Sequence, residues 1–243
     1  MNEFHFFIFT AKNLFNIKLS FLFYIYMKTR IYILAYNDKT FENASNFYEK
    51  YEWAKVIRIK TTVLFESIIF DEWLLDNYDD WKDFDNIGFI SWKANQKICI
   101  NALDNVIKQL NENDYDYDIK PLYILEFNEL ILDVNIINYR IVDIICTKLN
   151  YPHKFVYGKF IKFYCNYWIT KRDTLLEFIK FFKKCKEIID SDEEIQSIIW
   201  HDARHSGLSE EELLKIFNKP HYCYHPFVCE KLAWFFFHGK KFI

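Results

Sequence analysis

The chain has 243 residues, a formal charge of −3, and only four glycines and four prolines. That length suits one domain with a sizeable core, and a pI near 6.2 argues against a nucleic-acid-binding surface, which needs clustered Lys and Arg to displace phosphate counterions. Aromatics make up 21% of the residues, so a lone aromatic is weak evidence for a ligand site.

Two apolar runs, Phe6 to Phe9 and Leu19 to Tyr26, open the chain, separated by a stretch containing Lys12, Asn13, Asn16 and Lys18. Neither reaches the ~18 to 20 apolar residues that a membrane helix needs. Tyr24-Ile25-Tyr26-Met27-Lys28 offers no small-residue cleavage site. The expectation is a translation start at Met27, a single domain over 27–243, and no membrane association, a weak anchor in 1–26 being the alternative. The six cysteines (Cys99, Cys146, Cys165, Cys185, Cys223, Cys229) sit in apolar segments without a repeated framework. They read as reduced intracellular thiols, and the expected location is cytoplasmic.

From Arg30 to Asn37 a near-continuous apolar run ends in polar turn residues, the pattern of a buried parallel strand. A helix over Ala44 to Tyr51 and a strand at Val56 to Ile59 complete a βαβ unit. Val63 to Leu75 has helical spacing, Ile87 to Ser91 is a strand, and Asn101 to Leu110 a helix. After the acidic stretch Asn111 to Asp118 come a strand at Leu122 to Phe127 and a helix through Ile136 to Leu149. A late strand is expected at Phe160 to Tyr164. Capping-box spacing at Thr174/Glu177, Ser191/Glu194 and Ser209/Glu212 marks three helix starts. The predicted class is α/β: a mainly parallel sheet flanked by helices, with a helical C-terminal third.

In such sheets ligands bind beyond the carboxyl ends of the strands, which singles out Tyr36 and Asn37, then Ser91, Trp92 and Lys93. Ordinary turn chemistry is the competing explanation for Tyr36 and Asn37. No Gly-rich phosphate loop or kinase motif is present, which argues against dinucleotide oxidoreductases, P-loop NTPases and kinases. Glu66, flanked by Leu64, Phe65, Ile68 and Ile69, is expected to be partly buried and so to need a partner or a raised pKa. Asn166 can donate to and accept from a sugar hydroxyl, and the face of Trp168 can stack on a sugar ring. His201, His205, His221, Cys223, His225 and Cys229 fall within thirty residues and leave a structural zinc site as an alternative, although the spacing is irregular.

Ile87-Gly88-Phe89-Ile90-Ser91-Trp92-Lys93, Phe163-Tyr164-Cys165-Asn166-Tyr167-Trp168 and Tyr224-His225-Pro226-Phe227-Val228-Cys229-Glu230-Lys231-Leu232 resemble glycosyltransferase-like proteins of large DNA viruses. More loosely, they resemble a bacterial capsular-polysaccharide glycosyltransferase-like family. Glu66, the Asn-Tyr-Trp at 166–168, the Asp-Ala at 202–203 and the His-Pro-Phe with Glu230 match this family, while Lys231 stands where those relatives have Arg. The resemblance implies an A-type nucleotide-diphospho-sugar fold in an infected host cell. The implied reaction is transfer of a sugar from a nucleotide-sugar donor to a saccharide or glycoprotein acceptor.

Such enzymes commonly carry Asp-x-Asp at a central strand end to hold Mg²⁺ or Mn²⁺. Here that strand end reads Ser91-Trp92-Lys93, so no protein-bound metal is expected and Lys93, or Lys97 beyond it, would face the leaving diphosphate. Asp202 or His225 would serve as general base, and Glu230 as a further binding residue. The competing class is a non-catalytic glycan- or protein-interaction module on the same fold.

Overall fold

The computed structural model describes residues 26–113, 115–123, 132–151, 165–237 and 240. The N-terminal extension up to residue 25, Asp114 and the strand expected at Phe160 to Tyr164 lie outside them.

Strand β1 (Thr29–Ala35) leads into helix α1 (Asp38–Tyr48) and strand β2 (Ala54–Arg58). Helix α1 starts earlier than its apolar spacing predicts, because Asn37 and Thr40 form a reciprocal capping box: the Asn37 side chain accepts from the Thr40 N–H, and Thr40 Oγ1 accepts from the Asn37 N–H. The segment expected to be one helix over Val63 to Leu75 is broken into a 3₁₀ turn (Phe65–Ser67), a π-helix (Ile69–Trp73) and a short helix α2 (Leu74–Asp76). Next come β3 (Asn86–Ser91), a 3₁₀ turn (Ala94–Gln96), α3 (Ile100–Glu112) and β4 (Ile119–Pro121). The strand expected at Leu122 to Phe127 thus lies just before that position; residues 124–127 are outside the described set.

Helix α4 (Leu132–Lys148), strand β5 (Trp168–Lys171) and helices α5 (Arg172–Ser191), α6 (Glu193–Ile199), α7 (Glu210–Phe217) and α8 (His225–Phe237) complete the order. Of the three predicted capping boxes only Ser209/Glu212 forms. Thr174 lies inside α5, and Asp192 rather than Ser191 caps α6, its carboxylate accepting from the Ile195 N–H.

The sheet runs β2-β1-β3-β5-β4. β1 pairs in parallel with β2 and β3, whereas β5 is antiparallel to both β3 and β4. The sheet is therefore mixed: the parallel expectation holds for β1, β2 and β3, and β5 departs from it by running against both its neighbours.

Alternation along the strands splits the core. Tyr32, Leu34, Ile87, Phe89 and Trp168 face the C-terminal helices, and Ile31, Ile33, Ile90 and Ile169 face α1 and α3. At Gly88 a Cβ would come within 2.5 Å of Ile31 Cδ1 and 2.8 Å of Ile169 Cγ1, so the sheet centre admits no side chain there. On the helical side Phe70 is a hub: its ring stacks on Trp168 at 5.5 Å and meets Phe89 and Phe178 edge-on. No helix among the described residues is long and apolar enough to cross a membrane.

Candidate functional site

β1 connects to β2 on one side and the chain then crosses to β3 on the other, so the switch in winding direction lies between β1 and β3. A crevice at the carboxyl ends of such strands is the usual ligand position in open α/β sheets. Tyr36 follows β1 there, and Ser91 ends β3. Because β5 is antiparallel with Phe89 opposite Trp168, the residues just before β5 lie at the carboxyl end of β3. The Ser91 and Tyr167 hydroxyls share a hydrogen bond.

Three further segments supply polar groups at this end. From the 3₁₀ turn after β2 comes Glu66, whose carboxylate lies near the Tyr36 hydroxyl. Its neighbour Ser67, fully buried, accepts at 3.0 Å from Asn166 Nδ2. Lys97, just past the 3₁₀ turn that follows β3, donates to Cys165 Sγ at 3.1 Å and lies 5.6 Å from the centre of the Tyr167 ring. Helix α8 contributes Glu230, which is electrostatically coupled to Glu66, Lys97 and Cys165.

The local backbone is unusual at two of these places. Phe65 (φ 46°), Cys165 (φ 62°) and Asn166 (φ 54°) are all left-handed, a conformation costly for a bulky residue such as Phe65. Asn166 is 3% exposed, and its Oδ1 has no hydrogen-bond partner among the described residues.

The titration behaviour follows from this crowding. Burial and then the Glu66 charge drive the Tyr36 hydroxyl well above its ordinary value. Burial first, and the negative charge of Glu230 second, push the Cys165 thiol up to about 11. Glu230 keeps part of its surface open, yet protein is packed around it so closely that its pKa is pushed up to about 7; Lys231 and Lys97 oppose the rise and Glu66 adds to it. Desolvation pulls the Lys97 ammonium down, but its bond to Cys165 and the nearby carboxylates outweigh this and hold its pKa above the ordinary value.

The predicted site residues divide. Tyr36, Glu66, Ser91, Asn166 and Glu230 come together. Trp92 is half-buried beside them, while Lys93 is exposed with its ammonium 4.8 Å from the centre of the Trp92 ring. It is Lys97, not Lys93, that reaches the carboxylates. Asn37 is spent on capping α1.

Trp168 is fully buried, with Phe70, Phe89, Phe178 and Phe237 around its ring, so the expectation of a sugar-stacking face gives way to a core role. Its Nε1 is one of the buried atoms without a partner. Asp202 is exposed and accepts from the Arg204 N–H at 2.7 Å within its own turn. His225 is 4% exposed and borders a separate cavity of about 320 Å³ with Asp71, Lys186, Asp190 and Trp200. Neither joins the cluster at the strand ends. Burial and the charge of Lys186 hold His225 down at about 4, with Asp190 opposing.

Lys97, Ser67, Tyr167, Cys165 and His205 are what motif reading undervalued. His205 packs against Tyr222 and Phe227, and burial together with the Lys97 charge lowers its pKa. The usable signal was adjacency: Cys165 and Tyr167 flank Asn166 in the motif already singled out. The His and Cys residues of the zinc alternative have separate surroundings; His221 Nε2 lies 3.2 Å from the Trp200 carbonyl and Cys229 is buried. Among the described residues no three His, Cys, Asp or Glu side chains gather as a metal site.

Comparison with known proteins adds no relative: no family model, no curated protein and no solved structure matches the chain.

Proposed function

We propose that this protein transfers a sugar from a nucleotide-sugar donor to a saccharide or protein hydroxyl, on an A-type glycosyltransferase fold. One observation carries the reading: parts of the three sequence-distant motifs that resemble that class, Ser91, Asn166 and Glu230, meet with Glu66 at the carboxyl end of β1 and β3. Chance core packing would not bring the polar members of three motifs to the one sheet end where α/β proteins bind ligands.

In this reading Tyr36, Ser91 and Trp92 border the nucleotide, and Lys97 meets the charge that develops on the leaving diphosphate, with Lys93 at the rim. Asn166 and Glu66 hold sugar hydroxyls. A lysine stands where related enzymes use a metal-binding acidic pair, so the transfer proceeds without a required divalent ion.

The test is turnover by the full chain across a panel of nucleotide sugars, in Mn²⁺ or in EDTA, with released nucleotide and thermal shift read together. Release of one nucleotide in EDTA is the expected result. A strict Mn²⁺ requirement overturns the role of Lys97, and thermal stabilisation without release identifies a non-catalytic binding module. Lys97→Ala should raise the donor KM several-fold and Lys93→Ala less, since both lysines are exposed and only Lys97 is tied down, by its bond to Cys165.

A further inference from the structure

We propose that the cavity between the π-helix and α5 is a second binding site, separate from the strand-end crevice, and that it takes a small organic cation carrying a primary ammonium group. The cavity measures about 320 Å³, and its walls come from the loop after β2, the π-helix, α5, α6 and the first residue of α8. A ligand would bind there whether or not the crevice transfers sugars.

Two groups on these walls lack a hydrogen-bond donor, and both can accept. Asp71 stands on the π-helix with its side chain only 19% exposed, and no hydrogen bond from a described residue reaches its carboxylate. The one ammonium within 4 Å of it among the described residues, that of Lys186, is 3.8 Å away, beyond hydrogen-bond reach, and is bound instead to Asp190 at 2.5 Å. His225, the second, is 4% exposed, and its Nδ1 has no partner among the described residues. Burial holds its pKa down at about 4, so the ring is neutral near pH 7 and presents one acceptor nitrogen. Burying a carboxylate without a donor is costly, and burial raises the Asp71 pKa with Lys186 opposing.

The charges on the walls select a cation. Lys60 pairs with Glu72 at 3.3 Å and Lys186 with Asp190, which leaves Asp71 as the lining carboxylate without a bonded cation. Of the other charges acting on Asp71, the repulsion of Glu72 exceeds the attraction of Lys183. An ammonium group has three N–H donors and no acceptor, which is what Asp71 and His225 both need. The remaining lining suits a short alkyl body: Leu64, Ile68 and Ile189 are aliphatic. Trp200, packed on His225 at 4.3 Å between ring centres, adds an aromatic wall that attracts a cation.

The stretch from Thr62 to Glu72 separates the two sites. Glu66 and Ser67 belong to the crevice, while Leu64, Ile68 and Asp71 line the cavity. Its π-turn is a departure from regular helix of the kind often found where a ligand is held.

The experiment titrates the full chain with n-butylammonium or with n-butanol, which has the same length and no charge, in about 0.15 M salt to screen surface charges. Binding is read by calorimetry and by NMR from the Trp200 indole N–H, which donates to Gln196 at 3.0 Å and is identified by its loss in Trp200→Phe. Butylammonium should bind saturably and move that resonance, and butanol should do neither. Asp71→Asn should weaken butylammonium about tenfold, as loss of a charge-assisted bond does, while Glu211→Gln at an exposed position of α7 should leave it unchanged.

Equal binding of butanol overturns the choice of a cation. Butylammonium binding that Asp71→Asn leaves intact, or that does not move the Trp200 resonance, is surface attraction and overturns the site. Should Asp71→Asn fail to fold, the charged and neutral probes still decide the matter through the Trp200 resonance of the unaltered chain.

Discussion

The two ends of the central strands handle buried polar groups in opposite ways. At the amino end Thr29 Oγ1 donates to Asn111 Oδ1 at 2.6 Å, Asn86 Nδ2 donates to Thr29 at 3.2 Å, and the Tyr117 hydroxyl donates to Asn86 Oδ1 at 2.9 Å. Asp85 accepts from the Lys28 N–H, and Arg172 donates to the Lys82 carbonyl. At the carboxyl end Asn166 Oδ1 has no partner among the described residues, Glu66 and Glu230 are electrostatically coupled, and three residues lie in the left-handed region. Both ends grow from the same strands and share one core, so the contrast is not one of secondary structure. A buried polar network whose side chains bond one another fixes a fold, whereas a buried amide oxygen without a protein partner is the kind of group that a bound water or ligand would satisfy.

The comparison can be broken most sharply at Asn86. Asn86→Ala strips a fully buried residue of both its partners and should cost about 2–3 kcal/mol in urea unfolding, with the slope unchanged. A loss as small as that of a surface substitution would mean that the amino-end network is not what holds the strands.

At the other end Glu230→Gln should have a pH-dependent effect. The folded state binds the Glu230 proton more tightly than the unfolded chain does, its pKa lying at about 7 against an ordinary 4.5. Its contribution is therefore complete below about 4.5 and is lost as pH rises through about 7. The substitution should flatten the decline in Tm over that interval, and an unchanged Tm profile would show that Glu230 is not proton-holding in the fold. The smallest effect is expected at the rim, where Arg58 and Asp38 pair at 2.7 Å while largely exposed. Arg58→Ala should stay within about 0.5 kcal/mol and leave turnover unchanged, which would confine the functional charges to the crevice.

Much of the frame was legible because burial on both sheet faces writes a continuous apolar run. β1 and β3 stand within a residue or two of where that pattern places them, and Ser209/Glu212 caps α7 as its spacing requires. Glu66 and Asn166 were identifiable as polar residues set in apolar surroundings. What escaped were choices decided by tertiary contact. Trp168 opens β5 and Tyr167 immediately precedes it, the two facing opposite sides, but only the packed helices determine that the indole goes to the aromatic core and the phenol to Ser91. Lys93 and Lys97 are equally good cations by type; the turn after β3 decides which one reaches the carboxylates. The strand β4 is three residues long, too short for alternation to register.

The π-helix at Ile69–Trp73 has a consequence for how the chain tolerates changes of length. A wider turn accommodates one residue more than an α-turn, so loss of a single residue there would restore ordinary helical pitch rather than break the segment. Side chains beyond such a deletion would keep close to their present direction, and Trp73 would keep the Tyr32 ring that it meets edge-on at 5.0 Å. A lost codon in a regular helix such as α5 has no such slack and would turn every later side chain by about 100°. The wide turn is thus the place along this chain where length is most readily given up.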